Sequence, residues 1–180
     1  MSESLTDSEL LVLGLVSEMP RHGYELEQVI EQRGMREWTQ IGFSSIYFVL
    51  GKLEKKGLVT AEKPTGVKTK KSFLMTEAGH QALIAQTLSA ITTVRPTYSS
   101  LLLGMIHWPT LQRDQALNAL SERGEVIQKE ISRIENIQLD QQPLPDHVEA
   151  LFDYSIAQLK SEADWLQKTL DYMTCKPWNT

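Results

Sequence analysis

Residues 44–71 read SSIYFVLGKLEKKGLVTAEKPTGVKTKK, and the fold turns on how this stretch is parsed. Ile46, Leu50 and Leu53 recur at i, i+4 and i+7, which gathers apolar side chains on one face of an α-helix. Ser45, Phe48, Lys52 and Lys55 follow the same spacing on another face. Beyond Gly57, Leu58–Glu62 and Ser72–Met75 have strand character, and Pro64-Thr65-Gly66 supplies the turn chemistry between them. From Lys52 to Lys71 there are seven lysines against two glutamates, while the rest of the chain is acidic. An amphipathic helix followed by a basic hairpin is the arrangement of a winged helix-turn-helix. A polyanion is electrostatically favoured at this one place.

Composition bounds the rest. A chain of 180 residues permits one ordinary domain or two small ones. Its 41% hydrophobic and 23% charged residues are those of an ordinary globular protein. No apolar run approaches the roughly 18 residues of a membrane span, and the longest candidate, LLLGMI at 101–106, is far shorter. The N-terminal MSESLTDSE is polar and acidic, unlike a targeting peptide. Cys175 stands alone, so neither an intramolecular disulfide nor a cysteine-based metal site is expected. A cytoplasmic protein without membrane contact follows. The net charge of −5 disfavours nonspecific coating of nucleic acid but permits a reader whose basic charge is local.

Upstream, a first helix is expected to start after Thr6 or Asp7, either of which can cap it, and to stop before Pro20. Arg21-His22-Gly23 reads as a break. A second helix over about Tyr24–Gln32 carries Leu26, Val29 and Ile30 on one side and ends at Gly34. Arg36–Phe43 has no clear period. A third helix then starts around Gly42-Phe43-Ser44, with serine as the cap. After the hairpin, Thr76 caps a fourth helix whose first-turn Glu77 suits the macrodipole; it runs toward Val94 and must end or kink at Pro96.

The second half has a different grammar. Leu117, Leu120, Ile127, Ile131 and Ile134, with Gly124 in the open slot, step by three and four residues, a heptad seam. A turn at Gln141–Pro145 follows, and Asp146 with Glu149 three residues later reads as a capping-box start. Phe152, Ile156, Leu159, Ala163, Leu166, Leu170 and Met173 continue the same steps, so the two helices form an antiparallel hairpin. Leu151, Trp165 and Tyr172 lie off that seam. Burying such a side chain is worth roughly 1.5–3 kcal/mol, so the domain's own fourth helix or a second subunit must cover them. The fold class expected is mostly α with a small β-wing. Residues 1–90 form the winged helix-turn-helix domain, and 91–180 form a helical dimerisation domain. The arm's contacts are expected at Leu120, Ile127, Ile131, Ile134, Phe152, Leu159, Trp165, Leu166 and Leu170.

Three segments also carry a family likeness. LLVLGLVSEMPRHGYELEQVI near 11–30, SSIYFVLGKLEKKGLV at 44–59 and FLMTEAGHQAL at 73–83 stand in order and at the expected spacing. Together they resemble the PadR family of transcriptional regulators: a leucine-rich helix with a His-Gly-Tyr turn, a serine–aliphatic–tyrosine recognition helix, and a wing strand leading into a helix start. Here Met75 replaces the leucine of that start, Phe48 stands where proline is frequent, Gly51 replaces a small helix former, and lysines replace the Gly-Arg-Pro/Arg wing pattern. The resemblance implies a homodimer on a pseudo-palindromic double-stranded DNA operator, usually as a repressor. Carried over residue by residue, it implies DNA contacts from Ser44, Ser45, Tyr47 and Lys52, and from Lys68, Thr69, Lys70 and Lys71 on the wing.

Several of these residues are open to two readings. Lysines decorate solvated hairpin tips, yet three in four residues beside a recognition-type helix favour DNA; they grip phosphate with little base specificity. Ser44 or Ser45 caps the helix and leaves the other to meet a phosphate. Tyr47 suits half-burial or backbone contact. Phe48 suits a thymine methyl or a neighbouring domain. His22-Gly23-Tyr24 is best read as a helix junction in which Gly23 permits close approach and Tyr24 packs. Trp108, Trp165, Trp178, Tyr98, Tyr154 and Tyr172 form interface core or line a cavity for a small aromatic effector. His22, His80, His107 and His147 are scattered, with no metal spacing, catalytic arrangement or phosphate-binding glycine loop. The chain is not expected to be an enzyme or to need a cofactor or metal. The competing reading is a winged-helix adaptor that binds protein, which would have no physical reason to keep a lysine wing.

Overall fold

The computed structural model describes residues 4–37, 39, 42, 45–62, 71–96 and 98–176, with only the backbone at 37 and 45. The chain separates into two compact units, residues 1–96 and 97–180. In the first, helix α1 spans Asp7–Glu18, strand β1 Arg21–His22, helix α2 Gly23–Gln32 and helix α3 Ser45–Lys55. Strands β2 (Val59–Ala61) and β3 (Ser72–Met75) and helix α4 (Glu77–Thr92) complete it.

Local chemistry sets these boundaries. Thr6 and Glu9 form a reciprocal capping box at the start of α1: the Thr6 N–H donates to Glu9 Oε2 at 2.8 Å, and the Glu9 N–H donates to Thr6 Oγ1. Thr76 caps α4 by accepting from the Gly79 N–H at 3.0 Å. A Cβ on Gly79 would lie 2.0 Å from the Leu58 carbonyl oxygen, so only glycine lets α4 start against the end of the α3–β2 connection. Helix α3 runs unbroken through Gly51. Its apolar stripe, Ile46, Val49, Leu50 and Leu53, is buried with Val12, Leu13, Leu26 and Ile30. Phe73 of β3 and Val59 of β2 close the same core.

The sheet differs from expectation in one respect. Arg21–His22, expected as a break, is a third strand, and the order is β1-β3-β2 with both pairs antiparallel. Two residues carry no alternation to read; β3 supplies the partner through Arg21 opposite Phe73 and His22 opposite Ser72. The β2 strand is Val59–Ala61, shorter than the expected Leu58–Glu62. Residues 63–70, which hold the expected hairpin turn, lie outside the described residues, as does Ser44. A short 3-10 turn, Met35–Glu37, overlaps the start of the segment without period.

In the second unit, α5 (Ser100–Ile106) and a 3-10 turn at Trp108–Thr110 precede two long helices, α6 (Arg113–Asp140) and α7 (Asp146–Cys175). In the sequence, 101–106 stands out only as an apolar run too short for a membrane span. A seven-residue helix with Ser99 as cap gives little periodicity to detect. Leu120, Ile127, Ile131, Ile134, Phe152, Ile156 and Leu166 form the closed core of an antiparallel α6–α7 hairpin. Ala116 rather than Leu117 is the buried residue at the seam's first step. The expected capping box at Asp146 is not formed: Pro145 occupies the cap position, and Glu149 accepts instead from the side-chain amides of Gln138 and Gln142. Arg113, in the first turn of α6, donates to the carbonyls of Met173 and Thr174 at 2.8 and 3.1 Å and so ties the last turn of α7. Arg123–Glu162 and Lys160–Glu135 ion pairs, at 2.6 and 2.7 Å, bridge the two helices along the way.

Candidate nucleic-acid interface

Helix α3 packs on α1, α2 and β2 through its apolar stripe, so its opposite face is turned to solvent. That face presents Tyr47 and Phe48, 60% and 64% exposed, with Lys52 and Lys55 also exposed. The Tyr47 ring lies on the first residue of α2: a Cβ at Gly23 would be 2.5 Å from its Cε1. A side chain at Gly23 would thus displace the Tyr47 ring, which is buttressed on one side and open on the other. Tyr24, expected to pack, is 54% exposed, because the junction is filled from α3 instead. The Lys52 ammonium sits 4.6 Å above the Phe48 ring, a cation–π contact that keeps both side chains side by side on the open face.

The lysines that look equivalent in sequence are not equivalent in space. Lys56 turns inward to Glu9, its Nζ 3.0 Å from the carboxylate. Glu9 is buried, and burial pushes its carboxyl up. Hydrogen bonds from the Thr6 N–H and the Lys56 ammonium, with the ammonium's charge, outweigh burial and leave it below the ordinary carboxylate range. Lys71, at the foot of β3, pairs with Glu54 of α3 at 2.7 Å and lies 5.0 Å from the centre of the Phe73 ring. The arginines of this unit are also held internally. Arg21 and Arg33 share Glu18, Arg36 joins Glu27 and Glu31, and Arg95 meets Asp7. The Arg33 hydrogen bond outweighs burial and, with the Arg33 and Arg21 charges, lowers the Glu18 pKa. Among the described residues, Lys52 and Lys55 are thus the cations of α3 that no carboxylate holds. Lys55 was placed on this face by its spacing but was not among the contacts carried over from the resemblance; its three-residue step from Lys52 was the available signal.

Of the other expected DNA contacts, Ser45 begins α3. Ser44, Lys68, Thr69 and Lys70 lie outside the described residues. In the second unit, Leu159, Trp165 and Leu170 pack partly buried against the hairpin core that holds Leu120, Ile127, Ile131, Ile134, Phe152 and Leu166. These nine residues thus meet one another inside a single chain. On α6 and α7 the large apolar side chains left open are Val126, Leu139, Leu151, Tyr154 and Tyr172, of which the sequence singles out Leu151 and Tyr172; Tyr98, Leu102, Leu103, Ile106 and Leu111 are open ahead of α6. The aromatic set divides: Trp108 and Trp165 pack on the hairpin core, Tyr98, Tyr154 and Tyr172 are exposed, and Trp178 lies outside the described residues. Among the described residues no group of His, Cys, Asp and Glu could hold a metal ion, and no helix is long and apolar enough to cross a membrane.

Residues 12–85 match the transcriptional regulator PadR-like family. This segment is similar to that family. The solved structures extend the likeness in fold to most of its length. Bacillus subtilis PadR in complex with operator DNA is 20% identical with a TM-score of 0.72, covering 92% of this chain and 98% of that one. The same PadR in complex with p-coumaric acid is 18% identical, with a TM-score of 0.75 and the same coverage. The protein smu.1604c of Streptococcus mutans UA159 is 27% identical, with a TM-score of 0.64 over 93% of this chain and 99% of that one. No curated protein sequence matches the chain. The PadR-type fold, a winged helix-turn-helix followed by a helical region, is therefore that of this chain, and the first unit holds the matched segment.

Proposed function

We propose that this PadR-type protein is a repressor that binds DNA sequence-specifically as a homodimer on a pseudo-palindromic operator in the cytoplasm. One observation carries the reading: α3 turns its exposed Tyr47, Phe48, Lys52 and Lys55 away from the core as one aromatic and cationic face. Lys52 and Lys55 would meet phosphate, Tyr47 and Ser44 or Ser45 the sugar–phosphate edge, and Phe48 a thymine methyl. Lys68, Thr69, Lys70 and Lys71 would hold the flanking backbone. On this reading residues 1–90 are the reading head and 91–180 the dimerisation arm. Two heads joined through the arms would reach half-sites about 34 Å apart or a multiple of it.

A small aromatic effector fits the same scheme, in line with the p-coumaric acid complex of Bacillus subtilis PadR. Such a ligand changes DNA affinity only by its preference for one spacing of the heads. The experiment is a gel shift on the DNA upstream of the protein's own gene at two salt concentrations. Binding is expected to fall steeply with salt. Lys70→Ala with Lys71→Ala is expected to weaken binding to all sequences and flatten the salt dependence. Salt-insensitive or absent binding would favour the protein-binding adaptor instead.

A further inference from the structure

We propose that Glu54 is an internal competitor for Lys71, its carboxylate occupying the wing-base ammonium until a DNA phosphate displaces it. The inference rests on the DNA-binding reading and adds a residue that tunes it. Glu54 lies in the last turn of α3, next to the negative end of the helix macrodipole, where a carboxylate is disfavoured and a cation is favoured. Lys52 and Lys55 suit that turn; Glu54 does not. What it gains there is Lys71, 2.7 Å away across the gap between α3 and β3.

Both partners stand on fixed backbone. The Glu54 carbonyl accepts from the Gly57 N–H at 3.0 Å, and the residue after Lys71, Ser72, accepts from the Glu62 N–H at 2.9 Å. The buried Phe73 ring also lies against the Lys71 ammonium, 5.0 Å from ring centre to nitrogen. Neither charged side chain is buried: Lys71 is 49% and Glu54 37% exposed, so a phosphate can reach the ammonium.

An ammonium has three donors, and hydrogen-bond count alone would let it bridge both anions. Charge decides otherwise. A phosphate in contact with Lys71 stands beside the Glu54 carboxylate at like-charge distance, and that repulsion loosens the internal pair. Binding at Lys71 is then an exchange of one anion for another rather than the capture of a free cation. Its net gain is smaller than a lysine on phosphate would otherwise give. A surface pair of this kind shifts an equilibrium by about 2- to 5-fold.

The test is a double-mutant cycle on the full chain, with the DNA upstream of its own gene as probe. Wild type, Glu54→Gln, Lys71→Ala and the double variant are titrated at two salt concentrations. Glu54→Gln is expected to tighten binding by about 2- to 5-fold with Lys71 present, and by clearly less in the Lys71→Ala background. Equal tightening in both backgrounds means the pair survives binding and overturns the exchange. Weaker binding of Glu54→Gln overturns it too, since Glu54 would then be positioning Lys71 for DNA. Wild-type binding that is absent or insensitive to salt removes the DNA reading and the exchange with it. Salt-sensitive wild-type binding with an additive cycle removes the exchange alone.

Discussion

The two units bury their apolar residues to different depths. In the first, Val12, Leu13, Leu26, Ile30, Ile46 and Leu53 are 0% exposed, and four helices and a sheet close around them. In the second, α6 and α7 bury one seam between them and leave Leu151, Tyr154 and Tyr172 54%, 65% and 60% exposed. A two-helix layer has a single internal face, so every apolar residue off that face needs a further layer. The first unit closes a core on all sides, although its α4 leaves Ile84, Leu88 and Ile91 open. The second unit has apolar surface to spare, which a second copy would cover in the proposed dimer.

The largest expected effect separates those two faces of the arm. Ile131→Asp with Leu159→Asp places charge in the hairpin seam, where each carboxylate costs several kcal/mol unless it takes up a proton. Loss of helical circular dichroism and sedimentation as a monomer are expected together. Leu151→Glu with Tyr154→Glu alters only the open face, so helicity should persist while association is lost. A dimer that survives both pairs of changes would remove the arm from the dimerisation role.

How much of this was legible depends on whether a residue's partner lies near it in sequence. The α3 stripe, the Thr6 and Thr76 caps and the α6–α7 seam follow local spacing, and they stand in the structure except at the seam's first step, where Ala116 replaces Leu117. Strand β1 was invisible because two residues define no period and their partner, β3, is some fifty positions away. Helix α5 was invisible for a similar reason of length. At the candidate site, spacing showed which lysines share a face with Phe48. It could not show that Lys56 belongs to Glu9, 47 residues upstream, or Lys71 to Glu54. Counting the seven lysines as one cluster therefore overstated the charge that is free to meet a polyanion.

A medium effect is expected inside the reading head. Glu9 has a lowered pKa in the folded chain, so its contribution is present above the unfolded carboxylate value, about 4.3, and is lost as pH falls through the folded value. Glu9→Gln leaves the Lys56 ammonium without its carboxylate and is expected to cost about 1–3 kcal/mol at pH 7. Urea unfolding at neutral pH and at pH values below the carboxylate range should show the variant and wild type converging in acid. A difference that stays constant across that range would mean Glu9 acts by packing alone, and the first unit would be less dependent on internal ion pairing than its geometry indicates.

The smallest effect is the sharpest test of the head, since it sets two lysines of one segment, four residues apart, against each other. Lys52 stands exposed over Phe48, whereas Lys56 is held by a buried carboxylate. A lysine that meets phosphate releases about one counterion, so Lys52→Ala should lower the slope of log affinity against log salt by about one and leave the melting temperature nearly unchanged. Lys56→Ala should do the reverse, lowering the melting temperature by uncovering Glu9 while leaving the slope as it was. Equal slope changes for both would mean that DNA pulls Lys56 out of its pair. The reading head would then be a deformable cationic surface rather than a rigid face whose charges are sorted before DNA arrives.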